Sequence, residues 1–420
     1  MTTETIARSD RRIVTLDVIR GVAVMGILSV NIVDFSMMQA AYLNPAAFGW
    51  PDPASLAVWI ANMLFVDGKF RTLFSVLFGA SMLLIIDRAE RRGESGWTVH
   101  WRRMAVLLVI GAAHAILLWR GDILTLYAIT GLIAFPFRKL ATEKLVAAGL
   151  SFSLFNLILF AAIGVTLLRQ DVQAHAANAD PLDRLNWELN LSSFYPPADD
   201  VAEDRAVYGG PWTGIVKHQA GEATDVLTND LLLLPDTLGL MLLGMAGLRS
   251  GFLTGAWDDR DYWRIVRLGI PIGLAGFGAL VIVDIASRFY MPTLLTGFES
   301  LMVPFRLAMA SGYAALLILL SRNMGWIVQR FAAVGRAAFS NYLGTSFVCT
   351  FIFYGWGLGW YGKLTRAEAW LVVPFVWLLM LLWSKPWLDR FRYGPFEWLW
   401  RSLARLEFQP MRKSGREAAA

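Results

Sequence analysis

Long apolar segments run through most of this chain, and they decide what it can fold into. A helix needs about 20 apolar residues to cross the roughly 30 Å hydrocarbon core of a bilayer. About ten stretches qualify, near 13–37, 63–86, 104–120, 122–137, 145–168, 226–247, 265–284, 301–320, 337–354 and 367–384. Hydrophobic residues make up 56% of the chain and charged residues 17%, a balance that could not cover a soluble surface. The sequence predicts an all-α integral membrane protein, a polytopic bundle of about ten transmembrane helices.

Lysine and arginine residues set the expected orientation. If the N-terminus is cytoplasmic, 26 of the 38 lie on the cytoplasmic side, eight lie on the opposite side, and four lie within spans or at their edges. Cytoplasmic loops of membrane proteins carry the excess of positive charge. We therefore expect both termini in the cytoplasm and an even number of spans.

The one long polar stretch is 169–225, between the fifth and sixth spans, and it is rich in acidic residues. Under the predicted topology it is a periplasmic loop or cap. It is either a solvated connection or a lid over an outward-facing site, because long loops in compact folds are often lids. Around this insertion, we expect a single transmembrane helical domain over 1–420.

Several classes of function are excluded by what the sequence lacks. The single cysteine, Cys349, permits no internal disulfide. We find no Walker A loop, no zinc-type His/Cys cluster and no serine-hydrolase elbow. No metal is therefore expected, and nucleic-acid binding is unsupported because the basic residues lie beside spans. Membrane lipids are the expected surroundings, and the sequence sets no oligomeric state.

Ionisable residues inside spans are costly and therefore mark candidate sites. In the first span, Asp17 and Arg20 are spaced i, i+3 and can pair on one helix face. Asn31 lies on nearly the same face about three turns later, and Asp34 follows one turn beyond. This face is either a structural ion pair with polar neighbours or the lining of a substrate cavity.

Two further spans carry cations near the outer side. Asp67, Lys69 and Arg71 open the second span, where the two cations are placed to meet an anionic group, although Lys69 can instead extend to the surface. Arg306 lies in the eighth span with Glu299 one to two turns before it. An arginine there needs a carboxylate or an anionic ligand.

His114 is the only histidine inside a predicted span. Asp122 follows at a tight turn and can fix the tautomer of His114, as a general base requires. Tyr127 lies one to two turns beyond, and near the end of the chain Asn341 supplies an uncharged polar group. A lone intramembrane histidine can equally be a hydrogen-bonding group between helices.

Six blocks of sequence follow one another in a recognisable order. They are Leu16-Asp17-x-x-Arg20-Gly21 running on to Asn31, Asp67-Gly68-Lys69-Phe70-Arg71-x-Leu73-Phe74-Ser75-x-Leu77-Phe78-Gly79, His114-x-x-x-x-Trp119-x-Gly121-Asp122-Ile123-Leu124-x-x-Tyr127-Ala128, Ser340-Asn341-Tyr342-Leu343, Phe353-Tyr354-Gly355-x-Gly357-Leu358-Gly359, and Tyr393-Gly394-Pro395-x-Glu397-Trp398-Leu399-Trp400-Arg401. Together they resemble the YeiB-like family of bacterial multi-pass membrane proteins, a domain of unknown function. The resemblance covers most of the chain and implies the bacterial inner membrane.

The resemblance extends to a wider group of transmembrane acyltransferases, including membrane sugar O-acyltransferases and heparan-α-glucosaminide N-acetyltransferase. These are similar in the Asp and Arg on a polar face of the first span. The O-acyltransferases have a His eleven residues after the Arg, where this chain has Asn31. The N-acetyltransferase resembles this chain in having Asn there, but its later His corresponds to about Tyr42. If the chemistry is shared, His114 is the available imidazole.

Three hypotheses follow. The first is an acyltransferase that moves an acyl group from cytoplasmic acyl-CoA, as co-substrate, to a hydroxyl or amine of a small-molecule or glycan acceptor outside. His114 would be general base or transient acyl carrier, Asp122 would orient it, and Asn31 would stabilise the oxyanion. The proposed substrate-binding residues are Asp17, Arg20, Asp67, Lys69, Arg71, Tyr127, Arg306 and Asn341. The second is a transporter or exporter of a small anionic or amphiphilic metabolite, and the third is a structural or sensory protein without turnover.

Overall fold

The computed structural model describes residues 13–323 and 325–413. Across these residues the regular structure is helical, apart from two isolated bridges, Ala47 with Gly49 and Phe391 with Arg412. The helices of the first half are α1 Val14–Ser36, α2 Ala40–Leu43, α3 Pro53–Phe65, α4 Lys69–Arg91, α5 Gly96–Leu117, α6 Leu124–Ala134, α7 Thr142–Ala174, α8 Pro181–Ser192 and α9 Ala198–Tyr208. Those of the second half are α10 Trp212–Leu232, α11 Leu234–Arg249, α12 Asp259–Ala286, α13 Met291–Thr296, α14 Met302–Ser321, α15 Trp326–Arg336, α16 Ala338–Phe353, α17 Arg366–Trp370, α18 Val372–Arg390 and α19 Pro395–Arg405.

Seven helices in the described chain are long and apolar enough to cross a membrane, and an eighth is obtained if α10 and α11, bent by 52°, form one span. These correspond to eight of the ten predicted spans. The other two predicted spans are shorter helices, because α6 has 11 residues and α16 has 16. At 1.5 Å per residue, α6 reaches only about 16 Å. The predicted class of fold is confirmed, and the count of ten spans is not.

The predicted loop at 169–225 is itself largely helical. It contains the end of α7, all of α8 and α9, and the beginning of α10. Asp204 of α9 accepts a hydrogen bond of 2.6 Å from the hydroxyl of Tyr361, and burial raises the pKa of Asp204. The segment is therefore packed on the bundle rather than extended from it, while its periplasmic location stays a prediction.

Helix α1 lies at the centre of the bundle, where it packs against α4, α14, α15 and α16. Glycines allow the closest backbone approaches. A Cβ on Gly335 of α15 would overlap the carbonyl oxygen of Asp17 of α1, and a Cβ on Gly244 of α11 would overlap that of Val76 of α4. Peripheral α7 instead exposes large apolar side chains such as Leu150, Leu154 and Ile158, as a lipid-facing helix does.

Candidate functional site

Two cavities open into the bundle and approach each other on the two sides of a shared wall. The inner cavity, about 480 Å³, lies at the end where α1 begins. The outer cavity, about 330 Å³, lies at the end where α1 finishes. Both cavities are lined by Ile27, Ile123 and Tyr342, which we call the junction. Among the residues that the structure describes, only these three side chains line both cavities.

The inner cavity carries an excess of positive charge. Its lining includes Asp17, Glu397, His100 and the guanidinium groups of Arg20, Arg88, Arg103, Arg336 and Arg401. The two carboxylates already have partners. Asp17 pairs with Arg20 at 3.2 Å, as their spacing predicts, and Glu397 accepts hydrogen bonds from the backbone amides of Phe339 and Ser340 at 2.7 and 3.1 Å. With five guanidinium groups against two carboxylates among the described lining residues, the cavity favours an anionic occupant.

Glu397 also has a structural effect on the site. Its carboxylate accepts from the first turn of α16, where a negative charge stabilises a helix N-terminus. Burial raises the pKa of Glu397. The contact fixes the start of the helix that carries Tyr342.

The outer cavity carries the opposite charge. In the described part of the chain, seven carboxylates line it, against two guanidinium groups. The acids are Asp34, Asp67, Asp122, Glu222, Asp225, Asp230 and Glu299, and the bases are Arg71 and Arg120. Arg120 lies 3.3 Å from Asp34, which also accepts a 2.8 Å hydrogen bond from the indole of Trp119. This cavity favours a cationic or neutral occupant, whereas the sequence predicted that an anionic group enters here.

Irregular backbone forms much of the outer cavity. Helix α5 ends at Leu117 and α6 begins at Leu124, and the lining includes 119–123 between them. A π-helical turn, Gly297–Leu301, contributes Glu299. Gly68, at φ +71°, turns the chain into α4 beside the same cavity. Non-helical backbone at membrane depth is tolerated where it lines a cavity or is buried in protein, and π-helical turns are frequent at functional sites.

His114 and Asp122 form the predicted pair, but Asp122, and not His114, is the member that faces the cavity. His114 Nδ1 lies 2.8 Å from Asp122 Oδ1, and the amide of Thr125 donates to Asp122 Oδ2 at 2.8 Å. Asp122 lines the outer cavity, whereas His114 is 3% exposed and lies behind it. The Nε2 atom of His114 has no hydrogen-bond partner among the described residues. An occupant of the cavity would therefore touch Asp122 and not His114.

Asn31 lines the outer cavity one turn beyond Ile27 on α1. Within the described part of the chain, its side-chain amide takes part in no hydrogen bond, so it is available to a ligand. Asp67 and Arg71 line the same cavity, and Tyr127 lines the inner one, where its hydroxyl is 2.7 Å from Ser75 Oγ.

Three predicted binding residues lie in the packed interior beside the cavities. Lys69 is 0% exposed, so it does not extend to the surface. Its ammonium bonds the carbonyl of Met63 and lies 2.9 Å from the centroid of the Phe277 ring. Asn341 is held on both sides of its amide, because it donates to Val334 O at 3.0 Å and accepts from Trp383 Nε1 at 2.8 Å.

Arg306 is the third. It bonds the carboxylate of Asp236, which Arg71 also approaches at 3.2 Å. Asp236 is 0% exposed, so the arginines of two helices share one buried carboxylate. Glu299, the partner that the sequence suggested, lines the cavity nearby instead.

Sequence reasoning missed Asp230 and Asp236 as site residues, although the signal was present. Both lie inside the predicted span 226–247, where an acidic residue is as costly as any other that was singled out. Tyr342 appeared in the sequence only within a block of the family resemblance, and nothing in the sequence showed that it lines both cavities. In the described residues, no three His, Cys, Asp or Glu side chains lie close enough together to hold a metal ion.

The helices and the paired cavities define a multi-pass helical membrane protein. A family model described as "Protein of unknown function (DUF418)" matches residues 248–407. Uncharacterized protein YxaH of Bacillus subtilis (strain 168) is 33% identical over 413 residues, covering 96% of this chain and 97% of that protein. Uncharacterized protein YeiB of Escherichia coli (strain K12) is 34% identical over 405 residues, covering 93% and 96%.

The chain therefore belongs to the YeiB-like family, as its sequence blocks predicted. No solved structure matches it.

Proposed function

We propose that this protein transfers an acyl group across the bacterial cytoplasmic membrane, from acyl-CoA on the cytoplasmic side to an amine or hydroxyl on the outer side. The observation that supports it most is the pair of oppositely charged cavities that approach from the two ends of the bundle and share three lining side chains. A donor in one cavity and an acceptor in the other would meet at the junction.

The inner cavity suits the donor. CoA carries phosphates, which guanidinium groups bind through charge-assisted hydrogen bonds, and Arg103 and Arg401 lie in its lining. Apolar side chains such as Phe74, Phe78 and Met104 form other parts of the wall. They provide a surface for the pantetheine arm and the acyl chain.

The outer cavity suits an acceptor that carries an amine. Its carboxylates would attract a cation and repel an anionic metabolite. Asp122 would take the proton of the attacking group, because it is the member of the pair that reaches the cavity. His114, bonded to Asp122 from behind, would hold that carboxylate in place. Asn31 would donate to the acceptor or to the developing oxyanion.

The test is acyl transfer by the purified full-length protein, with radiolabelled acetyl-CoA and a panel of amines and sugars. We expect label on an amine, and a rate about 10²–10⁴-fold lower for Asp122→Asn, because general-base catalysis contributes that much. Asp200→Asn, an exposed acid far along the chain, is the matched control and should retain the rate. If the wild type leaves all label on CoA with every acceptor, the proposal is wrong.

A transporter is the second candidate, because two opposed cavities separated by a thin wall are also what an occluded carrier would present. It predicts counterflow of a labelled cationic substrate in proteoliposomes without covalent change to it. Counterflow in the absence of CoA, together with no transfer product, would favour the carrier over the enzyme.

A further inference from the structure

We propose that the hydroxyl of Tyr342 donates the hydrogen bond that polarises the acyl carbonyl during transfer. This rests on the proposed acyl transfer, and it places the reacting carbonyl at the junction.

Tyr342 has the only polar side chain of the junction, since its two companions are Ile27 and Ile123. A carbonyl that arrives through the inner cavity and is attacked from the outer cavity must pass these three residues. Tyr342 is 7% exposed, so a hydrogen bond there would form away from bulk water, where it is strong.

The hydrogen bonds of Tyr342 leave its proton available. Its hydroxyl oxygen accepts from the backbone amide of Ile123 at 3.3 Å. That bond occupies a lone pair and orients the hydroxyl, but does not use its hydrogen, for which the described residues present no acceptor. The Tyr127 hydroxyl, by contrast, is already bonded to Ser75.

The ring of Tyr342 is fixed from two directions. Its centroid lies 5.3 Å from that of the His114 ring, at an interplanar angle of 46°. Its helix, α16, begins at a turn whose amides bond Glu397. A donor held in this way needs no reorganisation when charge develops on the carbonyl oxygen, which is the property that makes oxyanion stabilisation effective.

The amine or hydroxyl of the acceptor attacks the thioester carbon, a new C–N or C–O bond forms, and the carbonyl electrons move to the oxygen that Tyr342 holds. Asp122 takes the proton of the attacking group. Collapse of the intermediate breaks the C–S bond, and the CoA thiolate leaves and recovers that proton. The products are the acylated acceptor and free CoA.

The first measurement needs no acceptor. We would record the infrared carbonyl band of acetyl-CoA labelled with ¹³C at the carbonyl, bound to the full-length protein. We expect the wild type to shift the carbonyl band to lower wavenumber. In Tyr342→Phe the band should return to the wavenumber of a thioester carbonyl that accepts no hydrogen bond. Tyr313→Phe should give the same band as the wild type. Tyr313 is the matched control because its hydroxyl bonds Phe65 O and it lines neither cavity in the described chain.

The second measurement is turnover with the best acceptor. Tyr342→Phe should lower kcat about 10²–10³-fold, as loss of one oxyanion donor does, with little change in the KM for acetyl-CoA. If Tyr342→Phe does not fold, 3-fluorotyrosine can replace Tyr342, because it keeps the shape of the side chain and makes its hydroxyl a stronger hydrogen-bond donor. The carbonyl band should then move to still lower wavenumber.

The outcomes separate the two proposals. A wild-type rate and an unchanged band in Tyr342→Phe would overturn the role of Tyr342 and leave acyl transfer standing. A band shift that depends on Tyr342, without transfer to any acceptor, would support Tyr342 and count against the proposed reaction. Acetyl-CoA that does not bind to the wild type would overturn both.

Discussion

At the scale of single residues, this protein stabilises charged side chains in its interior by letting two arginines bind one carboxylate. Asp236 lies between Arg71 and Arg306, and all three come from different helices. Breaking a buried pair leaves an uncompensated charge, which costs far more than an exposed pair contributes. The carboxylate of Asp236 therefore holds α4, α11 and α14 together beside the outer cavity.

We predict that Asp236→Asn destabilises the protein by about 3–5 kcal/mol, since two guanidinium groups lose their shared anion. Thermal and denaturant unfolding in detergent would measure this. Asp389→Asn is the control. Its exposed partner Lys385 lies one turn away at 3.0 Å, and such a pair is worth about 0–1 kcal/mol. Equal effects of the two substitutions would contradict the buried role of Asp236.

Pairs close in sequence could be predicted, and distant ones could not. The spacing of Asp17 and Arg20 is enough to bring them together on one helix, and Asp122 follows His114 after a short turn. Asp236 meets Arg71 across 165 residues, and only the packing of helices decides such a contact. For the same reason, the sequence could not show that His114 lies behind Asp122.

At the scale of helices, close packing depends on glycines where backbones cross. Gly21 of α1 and Gly335 of α15 face each other, and each would direct a Cβ into the other helix. Small residues at such crossings allow the approach that stabilises helix pairs in membranes. Gly335 also lines the inner cavity, so this crossing positions Asp17 and Arg20 at its wall.

We predict that Gly335→Ala lowers stability by about 1–3 kcal/mol, the usual effect of overpacking. It should also weaken acetyl-CoA binding, because α1 must move away from α15. Gly344→Ala is the matched control within α16, where a Cβ meets open space, and it should be neutral or stabilise by up to about 1 kcal/mol. Unfolding midpoints and equilibrium binding of labelled acetyl-CoA would check both. Unchanged binding by a folded Gly335→Ala protein would contradict the link to the cavity.

The hydropathy of the sequence predicted the positions of the helices more accurately than it predicted their lengths. The predicted span 122–137 is α6 followed by a 3₁₀ turn, Phe135–Lys139, with a proline at its start. At the end of α6, proline lacks the amide that would continue the helical hydrogen bonds. At its start, the residues before Leu124 are not helical and line the outer cavity. An apolar window shows only that a segment avoids water, and a short helix with an adjoining turn satisfies it as well as a spanning helix does.

At the scale of the whole molecule, the charge bias along the chain predicts which end faces the cytoplasm. The single cysteine makes this simple to test, because Cys349 is 0% exposed. The predicted inner end includes the exposed Glu94, and the predicted outer end includes the exposed Asp200.

We predict that a membrane-impermeant thiol reagent labels Asp200→Cys in intact cells and does not label Glu94→Cys. Both should react after permeabilisation, and the wild type should stay unlabelled because its cysteine is buried. Labelling of Glu94→Cys in intact cells would reverse the orientation, and with it the assignment of donor and acceptor cavities.

The junction also has an electrical meaning. If polar compartments enter from both faces, most of the voltage across the bilayer falls over the few side chains between them. Moving one elementary charge through that voltage involves about 2.3 kcal/mol per 100 mV. An acyl group is neutral and does no such work, while the phosphates of its carrier stay behind among the arginines. The proton that Asp122 takes and the CoA thiolate accepts, however, crosses Ile27, Ile123 and Tyr342 in the proposed reaction, so each transfer would carry one positive charge inward and depend on the membrane voltage.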